Sequence, residues 1–279
     1  MVRPPAVAGS FYPENAHELA QQVDGFCVRA SDAAKTRAIA CIVPHAGYMY
    51  SGHVAGAVYT EVELPRRFLL LGPRHFAHGQ PLAILSEGSW RTPLGDAEID
   101  AALAADLAHA FPLLRDDAIA HAREHSLEVQ IPFLQRLAMQ APQAGDFRFV
   151  PVVLASDRYG ALEELGEAVA RVIEKANAAG TGPVLIIAST DMNHYENDAA
   201  TRAKDWRAIE RILALDAHGL YDTVRNERIT MCGYAATVAT LIAARSLGAT
   251  QARLVRYATS GEINGDYSRV VGYAGMVIH

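Results

Sequence analysis

Residues 38–47, AIACIVPHAG, begin as a short apolar run and end in a loop that contains proline and glycine. RFLLLGPRH at 67–75 repeats this arrangement, and PVLIIASTDMNH at 183–194 begins with a similar apolar run and ends in a polar segment. Short apolar runs rich in β-branched residues and bounded by Gly, Pro or polar residues are typical of buried strands. Each of the three stretches therefore predicts a buried strand that ends in a loop.

The remaining sequence continues this alternation of strands and helices. Further apolar runs lie at 82–85, 147–154, 252–258 and 270–278, and apolar residues recur at helical spacing in 126–139, 161–180 and 233–248. Strands that alternate with helices indicate an α/β sheet covered on both faces. Since no linker divides the chain, we predict one α/β domain over residues 1–279, with a mostly parallel or mixed central sheet. The least regular stretch, 86–120, is expected to form a lobe or lid.

The composition is that of an ordered globular protein. Of the 279 residues, 51% are hydrophobic and 20% are charged, and the formal net charge is −6. A negative charge without runs of like charges argues against a nucleic-acid or membrane-surface partner. The sequence also lacks an apolar run long enough to predict a membrane span. Three widely separated cysteines, Cys27, Cys41 and Cys232, indicate a reducing compartment, so we expect a cytoplasmic protein.

A histidine follows each of the three strands predicted within 38–47, 67–75 and 183–194. These histidines are His45, His75 and His194. In open α/β sheets the ligand crevice lies outside the carboxyl ends of the strands. The entropy of closing a loop grows only slowly with its length, so sequence separation does not prevent the three imidazoles from meeting. A single histidine at a strand end is more often a structural hydrogen-bonding residue. Three of them together favour a functional site.

Cys232 lies just before the apolar segment 233–248, where a helix is predicted to begin. The positive end of a helix dipole lowers a thiol pKa, and the resulting thiolate is both a nucleophile and a metal ligand. Two neutral imidazoles and one thiolate would make a three-ligand site that suits Fe(II), Cu or Zn and does not suit Mg²⁺ or Ca²⁺. The alternative is that Cys232 is only a small buried apolar residue.

The sequence lacks several motifs of common enzyme classes. Phosphate-binding glycine motifs, H-E-x-x-H and G-x-S-x-G are absent, so a nucleotide-dependent enzyme or a serine hydrolase has no support.

Eight segments, in order along nearly the whole chain, resemble the Memo family, whose prokaryotic members are also labelled the B component of the AmmeMemoRadiSam system. The segments are AGSFYP (8–13), VPHAGYMYSG (43–52), LLGPRHF (70–76), RTPLGD (91–96), EHSLEVQIPFL (124–134), STDMNHY (189–195), MCGY (231–234) and YSRVVGYAGMVI (267–278). The resemblance implies a single domain, similar in fold to the class III extradiol ring-cleaving dioxygenases. Those proteins are non-haem iron enzymes that open catechol rings.

Carried over to this sequence, the resemblance makes His45, His75 and Cys232 the metal-ligand positions. It implies Fe(II) as the metal, with Cu or Zn as alternatives, and it places Asp191 and His194 beside the metal as catalytic residues. In the ring-cleaving enzymes the third ligand is a carboxylate, whereas this chain has Cys232. A thiolate is a softer ligand, which shifts the preference toward copper or a redox role.

Four more residues are candidates for the catalytic wall or for substrate binding. The resemblance places His125 on the wall opposite the metal. Tyr48 either lines a pocket or packs in the core, and Arg74 and Arg91 have the guanidinium groups that hold an anion through paired hydrogen bonds.

Three functions remain open from the sequence. The first is a metal-dependent oxidoreductase of extradiol-dioxygenase type that acts on a small aromatic molecule, with His194 as general acid and base and Asp191 orienting a histidine ring. The second is a binding module for an anionic, phosphotyrosine-like peptide or small ligand without catalysis, which the thiolate in place of the carboxylate favours. The resemblance also implies it, since animal members of the family are phosphotyrosine-peptide binders. The third is a redox or metal-handling protein that uses Cys232 and has a depressed thiol pKa. The system label further implies AMMECR-like and radical SAM proteins as partners.

Overall fold

Strands and helices alternate along the chain in the computed structural model, which describes residues 1–28, 34–140 and 147–279. The strands are β1 (Val2–Arg3), β2 (Ala40–Val43), β3 (Arg67–Pro73), β4 (Leu82–Ile84), β5 (Ser89–Thr92), β6 (Gly95–Ile99), β7 (Arg115–Asp116), β8 (Arg148–Leu154), β9 (Val184–Ser189), β10 (His194–Glu196), β11 (Ala252–Thr259) and β12 (Val270–Ile278). The helices are α1 (Ala16–Phe26), α2 (Tyr48–Glu61), α3 (Ala101–Ala110), α4 (Ala118–Ala122), α5 (Ile131–Gln140), α6 (Tyr159–Ala178), α7 (Asp198–Leu213), α8 (Ala217–Asn226), α9 (Tyr234–Ser246) and α10 (Gly261–Asn264).

The strands form one mixed sheet. Its main path runs β1-β5-β6-β8-β3-β9-β2-β12-β10, and β11 and β4 pair with β12 and β8 respectively. The central strands β8, β3, β9 and β2 are parallel, whereas β12 joins β2 in the antiparallel direction. Parallel strands point the same way, so the carboxyl ends of β2, β3 and β9 lie at one edge of the sheet. The predicted single-domain α/β fold with a mixed sheet is confirmed.

Helices cover both faces of the sheet. Successive side chains of a strand point alternately to the two faces. On β3, Leu69 and Leu71 pack into the cluster that contains buried residues of α6 and α9. Phe68 and Leu70 point to the opposite face, where they join buried residues of α1, α2 and α5. Both faces are therefore apolar, which explains why the strand sequences read as continuous hydrophobic runs.

Most predicted elements are confirmed, with shifts of a few residues at their ends. The helix predicted at 126–139 starts instead with a 3₁₀ turn at Glu128–Gln130 and continues as α5. The prediction of a lobe or lid at 86–120 is wrong. Its first half is the β5–β6 hairpin, which joins the sheet through β8 and buries Trp90, and Asp100 caps α3 by accepting from the Leu103 N–H at 3.1 Å. Within the described ranges, no helix has the length and apolar character needed to cross a bilayer.

Helices α1 and α2 approach so closely that Gly56 has no room for a side chain. A Cβ atom at Gly56 would overlap the backbone carbonyl of Phe26, whereas a Cβ at Gly25 of α1 would meet no atom within 4 Å. We expect Gly56→Ala to lower the free energy of unfolding by about 1–3 kcal/mol through overpacking. Gly25→Ala gains the same helix propensity without a clash and should be neutral or slightly stabilising. Urea unfolding followed by circular dichroism measures both, and equal stability of the two variants would contradict the prediction.

Candidate metal centre

Three of the predicted site residues come together at the carboxyl edge of the parallel strands. His45 lies in the loop after β2, His75 lies in the loop after β3, and Cys232 lies just before α9. The candidate ligand atoms of these residues all lie within 4.8 Å of one another. The His45 Nε2 atom is 3.3 Å from the Cys232 Sγ atom, and the centroids of the two imidazoles are 5.3 Å apart.

This arrangement fits a transition-metal ion. Nitrogen and sulfur ligands at about 2.0–2.3 Å from a tetrahedral ion lie roughly 3.3–3.7 Å from each other. The 3.3 Å between the His45 Nε2 atom and the Cys232 Sγ atom lies within this range. Burial lowers the pKa of His45 well below its usual value, with smaller contributions from His75 and His125. His45 is therefore a neutral imidazole, which is the form that binds metals. A set of two nitrogens and one sulfur suits Fe(II), Cu or Zn rather than the oxygen-seeking Mg²⁺ and Ca²⁺.

The surroundings of Cys232 differ from those expected at a helix start. Burial raises the pKa of the Cys232 thiol, and the nearby Asp191 carboxyl raises it further. The N–H groups of Asp191 and Gly233 lower the pKa, and the Asp191 N–H lies 3.3 Å from Sγ, but they do not offset the burial. The predicted depressed thiol pKa of Cys232 is therefore wrong. A coordinated cation deprotonates a thiol by its own charge, so the high pKa does not oppose a role as ligand.

The Nδ1 atoms of both candidate histidine ligands contact groups that the sequence did not reveal. The His45 Nδ1 atom is 3.0 Å from the Ser189 Oγ atom, and the His75 Nδ1 atom is 2.9 Å from a Glu124 carboxylate oxygen. Burial alone would raise the pKa of Glu124, but its hydrogen bonds with His75 hold it at about 2. Only their positions in the sequence could have drawn attention to these two residues. Glu124 directly precedes His125, and Ser189 ends the strand that leads to Asp191 and His194.

The three predicted catalytic residues lie around the centre, each held by a different contact. The His125 ring stacks on His75 with a centroid separation of 4.5 Å, and Phe11 covers it at 4.8 Å. The Nδ1 atom of His194 is 2.8 Å from the Thr230 carbonyl oxygen.

Asp191 was expected to orient a histidine ring, but its contact with His45 is different. The Asp191 carboxylate accepts from the backbone N–H of His45 at 2.8 Å. The ring of His45 is held by Ser189 instead. Asp191 therefore fixes the loop after β2 rather than an imidazole, and burial raises the pKa of its carboxyl above the usual value.

Tyr48 is a core residue. Its side chain is 2% exposed, its hydroxyl donates to the Val129 carbonyl at 2.7 Å, and its ring packs on Phe133. Of the two interpretations that the sequence left open for Tyr48, the contacts favour packing.

The structure does not bring Arg74 and Arg91 together as an anion site. Arg74 lies next to His75, but its guanidinium donates to carbonyls of its own loop, including those of His78 and Gln80. Arg91 forms paired bonds of 2.7 and 2.8 Å with Asp96 across the β5–β6 hairpin. Strand β6 is parallel to β8 and pairs with its first residues, so the hairpin turn lies beyond the amino end of β8, away from the metal centre.

Comparison with known proteins gives matches over the whole chain. The sequence model of the family described as Memo-like protein matches residues 3–277. A MEMO1 family protein of Methanopyrus kandleri is 41% identical to this chain, over 99% of this chain and 99% of its own length. A MEMO1 family protein of Aquifex aeolicus is 39% identical, over 99% of this chain and 98% of its own length. A MEMO1 family protein of Methanothermobacter thermautotrophicus is 38% identical, over 99% of this chain and 100% of its own. The chain therefore belongs to the Memo family.

Proposed function

We propose that this chain is a metal-dependent oxidoreductase of extradiol-dioxygenase type, with Fe(II) as its metal and a phenolic or other small aromatic molecule as its substrate. The observation that carries the proposal is the cluster of His45, His75 and Cys232, whose ligand atoms lie within 4.8 Å of one another. It lies at the carboxyl edge of parallel strands, where α/β proteins place their ligands. Two further imidazoles, His125 and His194, surround it without belonging to the ligand set.

Three protein ligands leave coordination positions free for substrate. Bound to these three ligands, Fe(II) would supply open coordination positions and redox chemistry for a phenolic substrate and dioxygen. His45 and His75 would hold the ion through nitrogen and Cys232 through sulfur. Copper and zinc accept the same donor set, so metal analysis of the purified chain is the first measurement.

His194 is suited to proton transfer at its Nε2 atom. A carbonyl oxygen only accepts hydrogen bonds, so the 2.8 Å contact with Thr230 requires a proton on Nδ1 of His194. Nε2 is then bare in the neutral ring, ready to take a proton from a phenol hydroxyl and to return it later. His125 and Phe11, with ring centroids 4.8 Å apart, would form an aromatic wall for the substrate ring.

The alternative functions have less support from the geometry. A module for anionic peptides needs free cationic groups, but Arg74 and Arg91 are already engaged in their own loop and hairpin. A redox role of the free thiol needs a thiolate, and burial raises the pKa of Cys232.

We expect His194→Gln to keep the metal and to lose most of the turnover. Loss of a general acid–base residue typically lowers a rate by about 10²–10⁴-fold. The measurement combines the iron content of each variant with oxygen uptake by anaerobically reconstituted protein given a panel of catechols. His218→Gln, which removes an exposed imidazole paired with Asp222, is the control and should retain full activity.

Two results would count against the proposal. If the unmodified chain takes up no oxygen with any catechol after loading with Fe(II), Cu or Zn, the dioxygenase activity is wrong. If His194→Gln turns over like the unmodified chain, the assignment of His194 is wrong.

A further inference from the structure

The Nδ1 atoms of His45 and His75 are held by groups that allow only one tautomer of each ring. A neutral imidazole has one nitrogen that carries a proton and one that is bare, and only the bare nitrogen can bind a metal. The partner of Nδ1 therefore decides whether Nε2 is available. The other hydrogen bonds of Glu124 and Ser189 show that each of them accepts a hydrogen bond from Nδ1.

At His75 the deciding group is the fully buried carboxylate of Glu124. One oxygen accepts from the backbone N–H groups of His125 and Ser126, both at 2.8 Å, and the other accepts from the backbone N–H of His75. Since amide groups only donate, both oxygens act as acceptors. The 2.9 Å contact with His75 is then an Nδ1–H donating to the carboxylate, which leaves Nε2 bare.

Glu124 could instead be regarded as a metal ligand, because its carboxylate, His75 and His125 also have potential ligand atoms within 4.8 Å of one another. Three of its four donors, the N–H groups of His125 and Ser126 and the His75 ring, contact the same carboxylate oxygen. An oxygen has two lone pairs, so this oxygen has no acceptor position left for an ion, and it orients His75 instead.

At His45 the deciding group is the hydroxyl of Ser189, which is also fully buried. Its single proton is donated to the Ser126 carbonyl at 2.6 Å. The side-chain amide of Gln130 donates to Ser189 at 2.9 Å and to the Pro44 carbonyl at 3.0 Å. With its proton committed, the Ser189 oxygen must accept from Nδ1–H of His45 at 3.0 Å, and Nε2 faces the Cys232 sulfur.

We propose that Glu124 and Ser189 are positioning residues that hold His75 and His45 in the tautomer that binds the metal, and so set the metal affinity of the centre. The inference rests on the proposed function, which requires a metal at these ligands. The two residues are joined through Ser126, whose N–H donates to Glu124 and whose carbonyl accepts from Ser189. One short segment after α4 thus controls both imidazoles.

The test is titration of purified variants with Co²⁺, with affinity measured by chelator competition and sulfur coordination by the thiolate-to-cobalt absorption band. In Glu124→Gln, one amide oxygen replaces two acceptors, and the amide N–H can donate to Nδ1 and move the ring proton to Nε2. We expect Co²⁺ affinity to fall by about 10- to 100-fold. Glu124→Asp keeps the negative charge and should recover part of the loss.

Glu128→Gln is the matched control for a buried carboxylate in the same segment. Glu128 bonds to the Arg3 guanidinium at 2.7 Å and to the Tyr12 hydroxyl at 2.6 Å rather than to an imidazole ligand. It should lose stability but keep the Co²⁺ affinity of the unmodified chain. Equal losses of affinity in Glu124→Gln and Glu128→Gln would reduce the effect to general destabilisation and overturn the proposal.

Ser189→Ala provides a second test should Glu124→Gln not fold. It removes the acceptor for Nδ1–H of His45 and should also weaken Co²⁺ binding. Ser126→Ala removes only a hydroxyl that donates to the Pro73 carbonyl at 2.9 Å and keeps the backbone groups of Ser126, so it should not weaken Co²⁺ binding. Normal Co²⁺ affinity in both Glu124→Gln and Ser189→Ala would overturn the positioning role and leave the proposed metal function intact. Absence of Co²⁺, Fe(II), Cu and Zn binding in the unmodified chain would overturn the proposed function, and this inference with it.

Discussion

The double variant His45→Ala, His75→Ala is expected to bind no stoichiometric metal under conditions in which the unmodified chain is loaded. The two substitutions remove both candidate nitrogen ligands of the set that includes Cys232 and leave only the sulfur of that set. Changes to groups that merely orient a ligand cost about 10- to 100-fold in affinity, so the loss of two ligands should exceed this range. Elemental analysis after Fe(II) loading and gel filtration measures the result directly.

Comparison of the single and double variants distinguishes two possible sets of ligands. His45→Ala leaves the neighbouring set of His75, Glu124 and His125 intact, whereas the double variant removes a member of each set. Loss of metal in His45→Ala alone therefore assigns the ion to the set that includes Cys232. His53→Ala is the control, because it removes a half-buried imidazole of α2 that belongs to neither set. Full metal content in the double variant would end the assignment.

Much of the fold follows from local sequence, because buried parallel strands must be continuously apolar. The run at 67–72 and the nearly apolar segment at 233–248 were recognisable as a strand and a buried helix for this reason. The β5–β6 hairpin was missed because its strands are short and carry charged residues such as Arg91 and Asp96 on the exposed side. The antiparallel direction of β12 beside β2 depends on tertiary pairing, which no local pattern encodes.

The candidate site was predictable to the extent that it depends on the ends of strands. The positions of His45 and His75 after predicted strands, and of Cys232 before a predicted helix, depend on local sequence and not on the strand order. The role of Glu124 was not predictable, because its two hydrogen bonds with His75 exist only after the loops beyond β3 and α4 meet. The same limit applies to Cys232, since burial decides the direction of its pKa shift and the sequence shows only the helix start.

Asp205→Asn is expected to stabilise the protein at alkaline pH and to have little effect at acidic pH. Asp205 of α7 is fully buried, and its carboxylate accepts from the Asn193 N–H at 2.8 Å and from the Tyr257 hydroxyl at 2.7 Å. Burial raises its pKa from 3.8 to about 7 in spite of these two hydrogen bonds. Of the nearby charges, Arg202 lowers the pKa and Glu196 raises it.

The sign of the pH dependence follows from the difference between the folded and unfolded pKa values. Between pH 3.8 and about 7 the folded state holds a proton that the unfolded state has lost. The free energy of unfolding therefore falls as the pH rises through this interval, and the cost of the buried charge is fully present above pH 7. A difference of this size corresponds to about 4 kcal/mol.

An asparagine reproduces the hydrogen bonds of the protonated carboxyl without titrating, since its oxygen accepts from Asn193 and its amide donates to Tyr257. We expect Asp205→Asn to gain up to about 4 kcal/mol near pH 8 and to lie within about 1 kcal/mol of the unmodified chain near pH 5. Asp198 on the same helix is the control. Its pair with Arg202 at 2.7 Å lowers its pKa, so Asp198→Asn should cost the same at both pH values. Urea unfolding at the two pH values measures each variant, and a gain for Asp205→Asn that does not change between them would show that Asp205 remains charged in the folded protein throughout this range.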